Sequence, residues 1–179
     1  MNVQADVCMQ HTQHEQAPRK VLFVCTGNTC RSPMAAAVFN DLARVREFSF
    51  QNGTLCCAPR LVASSAGLFA NEGDPITPAA AKALRESGIL PHPDNDYTAH
   101  RARPVSAELV SEADEIVGLT ASHAMQLMLR FPEAASKIRT LPVDIADPFG
   151  GNDEIYRACL SQLRCAIELS YFAEGGHDA

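Results

Sequence analysis

The stretch "VLFVCTGNTCRSP", Val21 to Pro33, decides how this chain is read. Val21, Leu22, Phe23 and Val24 form an unbroken apolar run, the pattern of a strand buried on both faces. Gly27 and Asn28 signal a turn. Ser32 followed by Pro33 predicts a helix start, with serine as N-cap and proline at the first helical position. Met34, Val38, Leu42 and Val45 then recur at helical spacing. Cys25 thus stands at the mouth of a strand, and Arg31 stands six positions later beside a helix N-terminus.

Such a joint suits a doubly negative guest. The six backbone N–H groups from Thr26 to Arg31 can curl around one oxyanion, and a helix start behind them adds its unpaired amides and dipole. The guanidinium of Arg31 forks onto two phosphate oxygens. Gly27 lets the main chain approach closely. The same field favours a thiolate over a thiol at Cys25, and the thiolate is the nucleophile. Attack on a held phosphorus gives a phosphocysteine, which water then hydrolyses. Ser32 is placed to donate to the sulfur and help it leave. A metal site built from Cys25 and Cys30 is disfavoured, because no partner pair of ligands is evident.

Outward from this joint, strands and helices alternate. "RLVASSAG" reads as a second strand, "DEIVGLT" as a third and "KIRTLPV" as a fourth. Between them lie helices over "PITPAAAKALRESGI", starting near Thr77–Pro78, over "SAELVSEA" and over "ASHAMQLMLRFP", the last ended by Pro132. "NDEIYRACLSQLRCAIELSYF" closes the pattern as an amphipathic helix. Its inward positions are read as Ile155, Cys159, Leu163, Ala166 and Ser170, with Cys159 and Cys165 packed. The stretch from Glu47 to Arg60, with vicinal Cys56 and Cys57, reads as irregular. The expected class is α/β: a single three-layer domain, a four-stranded parallel sheet with helices on both faces. Ligands of such sheets bind beyond the carboxyl ends of the strands. The loop Cys25–Ser32 and the loop "DPFGG", Asp147 to Gly151, both lie at such ends. From spacing alone Asp147 reads equally as a general acid or as an ordinary Asp-Pro turn residue.

The whole chain sets bounds. Its 179 residues suit one domain, and 46% hydrophobic with 20% charged residues is an ordinary globular balance. A formal net charge of -6 argues against nucleic acid as the main partner. No apolar run approaches a membrane span. Seven cysteines without zinc spacing read as reduced thiols, which points to the cytoplasm. Residues 1–18 have no apolar leader segment and are expected to be a disordered tail; Cys8, His11 and His14 within it read as solvated rather than metal-binding.

"VLFVCTGNTCRSPMA" together with "DPFGG" closely resembles the low-molecular-weight protein tyrosine phosphatase family, over about Lys20 to Phe172. "SSAGLFA", "HRARPV" and "ADEIVGLT" are similar to further family segments. The resemblance implies a catalytic domain over 19–174 and a short tail over 175–179. It implies Cys25 as nucleophile, Arg31 as phosphate clamp and Asp147 as general acid, with no cofactor and no metal. It implies that Thr26, Gly27, Asn28, Thr29, Cys30 and Phe149 meet the substrate. Asn28, Ser32 and His100 match a network that holds the loop. Arg101 and Arg103 read as structural or surface charges, and Cys30 matches a second thiol able to trap Cys25 as a reversible disulfide.

Two departures from the tyrosine-specific pattern stand out. Thr29 occupies a place usually held by a bulky aliphatic residue, and Phe149 is followed by Gly150 and Gly151 rather than a second aromatic. Both are similar to the protein arginine phosphatase branch. A guanidinium wants acceptors, which a threonine hydroxyl and a carboxylate supply. Phe149 can stack on a phenyl ring or on a guanidinium plane. The expected substrates are therefore phosphorylated proteins, phosphoarginine ahead of phosphotyrosine, with no nucleic-acid or membrane partner. An arsenate reductase on the same fold would need further cysteines to carry oxidising equivalents, and no cysteine lies between Cys57 and Cys159. A non-catalytic phosphate-binding module would not need Cys25, Arg31 and Asp147 together.

Overall fold

A computed structural model describes residues 17–51 and 60–173, the stretch 47–51 by its backbone alone. The first strand, β1 (Arg19–Cys25), is followed by helix α1 (Arg31–Gln51), β2 (Leu61–Gly67), α2 (Pro78–Glu86), α3 (Ala107–Glu112), β3 (Glu115–Gly118), α4 (Ala121–Arg130), β4 (Ile138–Thr140) and α5 (Asp153–Ile167). All four strands are parallel, in the order β2-β1-β3-β4. The sheet is the expected one. The expectations for residues 1–16, for Cys56 and Cys57 and for 175–179 fall outside the described residues.

Strand geometry explains the apolar run. Successive side chains of β1 point to opposite faces, so Val21, Phe23 and Cys25 join one core and Leu22 and Val24 the other. The first core is closed by α1 and α5 through Met34, Phe39, Leu160 and Leu163; the second is closed by α4 through Ala124 and Leu127. A chain buried on both faces has no polar alternation to show. At the opposite rim from the loops, buried Glu115 ties Arg19, Arg139 and Tyr171 together.

Several boundaries differ from the sequence reading. Helix α1 begins at Arg31, not at Ser32 or Pro33. The Cys30 carbonyl accepts the first helical bond, from Met34 at 3.1 Å. Pro33 is therefore the third helical residue, where an amide would have had no intrahelical acceptor. Ser32 is released from capping and faces Cys25. At its other end α1 runs through Gln51, since no breaker stands before Asn52–Gly53. β4 is only three residues long because β3 offers it three partners. Pro132 does more than stop α4: it opens a 3-10 turn, Pro132–Lys137. The regular α-helix of α5 ends at Ile167, and a π-turn carries Glu168–Phe172, including Ser170. Ile155 is exposed and covers Gly151 rather than the core, and Cys165 is exposed rather than packed.

Two glycines set how tightly the functional loops are held. A Cβ on Gly67, at the end of β2, would stand 2.7 Å from the Thr26 carbonyl and 3.0 Å from the Asn28 nitrogen. A Cβ on Gly118 would stand 2.6 Å from the Ala124 nitrogen, so glycine lets the first turn of α4 sit on the end of β3. Gly67→Ala is expected to lower stability by about 2 kcal/mol and to displace the loop that begins at Thr26. Chemical denaturation alongside aryl phosphate hydrolysis checks both effects, and a fully active, equally stable variant would refute them. Among the described residues no helix is long and apolar enough to cross a membrane.

Candidate active site

The strand order reverses beside β1: β2 leaves it on one side, β3 and β4 on the other. The loops after β1, β3 and β4 therefore meet over one crevice at the carboxyl edge. The loop after β1 carries Cys25 through Arg31. Its left-handed residue is Asn28, with φ of 56°, and not Gly27. Asparagine tolerates that conformation because its short amide bonds locally. A Cβ on Gly27 would meet the protein only at an ordinary 3.8 Å, so it is at Gly67 that the packing of the protein itself requires glycine.

Asn28 is fully buried and is bonded on all sides. Its Nδ2 donates to Ser32 Oγ and to Ser65 Oγ, both at 2.9 Å. Its Oδ1 accepts the Arg103 amide at 2.9 Å, and its main-chain carbonyl accepts from His100 Nε2 at 2.8 Å. A carbonyl only accepts, so His100 is protonated at Nε2. Burial lowers the His100 pKa below its ordinary 6.5, keeping the ring neutral. A 3-10 turn, Tyr97–Ala99, brings His100 to this place, anchored by Tyr97 Oη on the Ile89 carbonyl. Arg103, read from the sequence as a structural or surface charge, holds the Ser65 carbonyl through its Nε at 3.0 Å.

The Cys25 sulfur sits inside this frame. It is 3.0 Å from Ser32 Oγ and accepts the Asn28 amide at 3.3 Å. Among the described residues, the amides of Gly27, Thr29, Cys30 and Arg31 find no acceptor. Unpaired amides gathered beside a buried thiol form a ready anion cradle. Arg31 is only 6% exposed. Its Nη1 donates to the Ile145 carbonyl at 3.3 Å; its Nη2 reaches Thr26 Oγ1 at 3.4 Å and Asp147 Oδ2 at 2.5 Å. Arg31 and Asp147, 116 residues apart in sequence, thus meet directly. The Phe149 amide donates to the other carboxyl oxygen at 3.2 Å, so both oxygens of Asp147 are held.

Sequence reasoning missed other parts. Phe69 donates its amide to the Thr26 carbonyl at 2.9 Å, and the residue is 70% exposed, like Phe149 at 74%. Buried His123 reaches Thr26 Oγ1 through Nε2 at 3.0 Å. The Cys30 sulfur is 3.3 Å from Tyr156 Oη and 3.4 Å from Thr77 Oγ1. Burial, with that sulfur as neighbour, pushes the Tyr156 pKa up to about 12. The Cys159 thiol, also pushed up to about 12 by burial, contacts the Ala146 carbonyl at 3.7 Å, behind the acid loop. "SSAGLFA" and the helix start "TASH" held a signal for two of these, Phe69 and His123, as short polar or glycine-bearing turns at strand ends.

The model of the low molecular weight phosphotyrosine protein phosphatase family matches residues 20–171. The chain belongs to that family. It is therefore a cysteine-type protein phosphatase of low molecular weight. Within the family it is 39% identical over 158 residues to a protein-arginine-phosphatase of Geobacillus stearothermophilus, covering 84% of this chain and 93% of the relative. It is 33% identical over 168 residues to the low molecular weight phosphotyrosine protein phosphatase of Sus scrofa, covering 86% and 97%. A solved mutant of the YwlE arginine phosphatase, cysteine replaced by serine and the active site serine phosphorylated, superposes with a TM-score of 0.70. That mutant is 31% identical, covering 83% of this chain and 90% of that one.

Proposed function

We propose that this phosphatase removes phosphate from phosphorylated arginine side chains of proteins, with residues 19–174 as the catalytic unit. Cys25 attacks phosphorus, the S–P bond forms and the P–N bond breaks. Asp147 gives its proton to the departing guanidine nitrogen. Water then attacks phosphorus while Asp147 takes its proton; the S–P bond breaks and inorganic phosphate leaves. The loop amides and Arg31 hold the equatorial oxygens throughout. Ser32 donates to the sulfur as it departs, and Asn28 and His100 keep the loop in shape.

The Arg31–Asp147 contact also fits this order of events. An arriving phosphate takes the guanidinium from the carboxylate. That frees the Asp147 carboxyl group from its ion pair and leaves it facing the departing atom. Every proton and electron pair is accounted for by the chain and water. The thiol chemistry requires reduced Cys25 and Cys30, which suits a reducing cytoplasm.

The observation that carries the choice of phosphoarginine is Thr29. Its side chain is half-buried at the loop, and among the described residues its hydroxyl meets only the Cys30 sulfur, a weak partner at 3.7 Å. A free acceptor there suits a guanidinium N–H and offers nothing to a phenyl ring. The similarity to a protein-arginine-phosphatase of G. stearothermophilus supports the same choice. The second reading, phosphotyrosine, is favoured by the exposed rings of Phe69 and Phe149, which offer apolar walls to an aryl group.

Kinetics on matched phosphoarginine and phosphotyrosine peptides separate the two. Thr29→Ile is expected to move the ratio of kcat/KM toward phosphotyrosine by about tenfold. An unchanged ratio would leave Thr29 without a selective role.

A further inference from the structure

His123 is a buried, titratable side chain that no step above uses. It begins the crossing from the loop after β3 to the loop after β1. Thr120, the N-cap of α4, accepts the His123 amide at 3.2 Å through Oγ1, and that same oxygen lies 3.0 Å from His123 Nδ1. On the other side of the ring, Nε2 lies 3.0 Å from Thr26 Oγ1. Thr26 Oγ1 in turn receives Arg31 Nη2 at 3.4 Å. A continuous path runs from the cap of one helix to the guanidinium at the start of another.

Each group has one way to serve in that path. Thr26 is exposed, so nothing in its own packing fixes its hydroxyl. His123 is 5% exposed, and the tight seat of α4 on Gly118 fixes its backbone. Burial, and then the charge of Arg31, lower its pKa below 6.5 against smaller opposing effects of Asp147 and Asp144. A neutral ring carries one N–H and one lone pair. In either tautomer it bonds both threonine hydroxyls, and Thr26 Oγ1 keeps a lone pair for Arg31.

We infer that His123 is a positioning residue for the anion clamp. It holds the Thr26 hydroxyl as a fixed rest, alongside the Ile145 carbonyl, about which Arg31 turns from Asp147 to a bound phosphoryl group. When Nη2 leaves the carboxylate, these two acceptors keep the guanidinium plane aimed at the loop. Without the ring, Thr26 rotates freely and the clamp loses one of its two stationary contacts.

The inference rests on the phosphatase reading, and wild-type turnover of an aryl phosphate tests that reading separately. Two amides divide the ring's reach: the Gln amide extends to the place of Nε2 and hence to Thr26, and the Asn amide only to the place of Nδ1 and Thr120. His123→Ala is expected to lower kcat/KM about tenfold and to weaken inhibition by inorganic phosphate by a similar factor. His123→Gln should recover most of both losses, and His123→Asn little of either. Thr26→Val, at an exposed site that leaves α4 intact, should reproduce the loss, and the double variant with His123→Ala should lose no more than either alone. Equal recovery by Gln and Asn, additive losses in the double variant, or a Thr26→Val enzyme with wild-type phosphate inhibition would each overturn the role.

Discussion

Cys25→Ser is expected to reduce aryl phosphate hydrolysis by about 10⁴-fold or more. The substitution is small and keeps the local bonds. Serine Oγ can still accept from the Asn28 amide and meet Ser32 Oγ, the two contacts that the sulfur makes. What it loses is the sulfur nucleophile, because an unactivated hydroxyl is far less nucleophilic than a cysteine sulfur. Asp147 does not serve as a base for that hydroxyl, since in the same step it gives a proton to the leaving group. Thermal denaturation should therefore match the wild type while turnover disappears. A serine variant within tenfold of wild-type activity would remove Cys25 from the chemistry.

Asp147→Asn is expected to separate substrates by leaving group. The asparagine amide oxygen can still accept from Arg31 Nη2 or from the Phe149 amide, so the acid loop keeps its shape. It cannot give a proton to a departing atom. Phosphoarginine and unactivated aryl phosphates should lose about 10²- to 10³-fold in kcat, while an activated nitrophenyl ester, whose phenolate leaves unaided, should lose less than about tenfold. Equal losses on both classes would mean that the carboxyl group positions Arg31 and does no acid work. Measuring kcat against leaving-group pKa for wild type and variant gives the answer as a change in slope.

The joint at Val21–Pro33 was legible because its signals are local. An apolar run, a turn and a proline are read within thirteen consecutive residues, and the strand and helix they announce are present. The same local reading erred where two local rules competed. Ser-Pro announced a cap, yet the helix begins two residues before Pro33, because Ser32 bonds Cys25, Asn28 and the Ala66 carbonyl instead. Gly27 and Asn28 together announced a turn, and it is Asn28 that takes the left-handed position, because Ser65, His100 and Arg103 from distant segments fix that residue.

The sequence by itself determined the α/β class, the alternation that yields four parallel strands, and the pairing of a thiol with an arginine at one strand end. Periodicity and turn chemistry are properties of neighbouring residues, so one chain suffices to read them. Only the tertiary structure decided what surrounds that thiol. His123 meets Thr26 across 97 positions, Tyr156 meets Cys30 across 126, and Asp147 meets Arg31 across 116. Contacts at such separations arise from strand order and from two glycines that admit close backbone approach, and neither leaves a periodic trace in the chain.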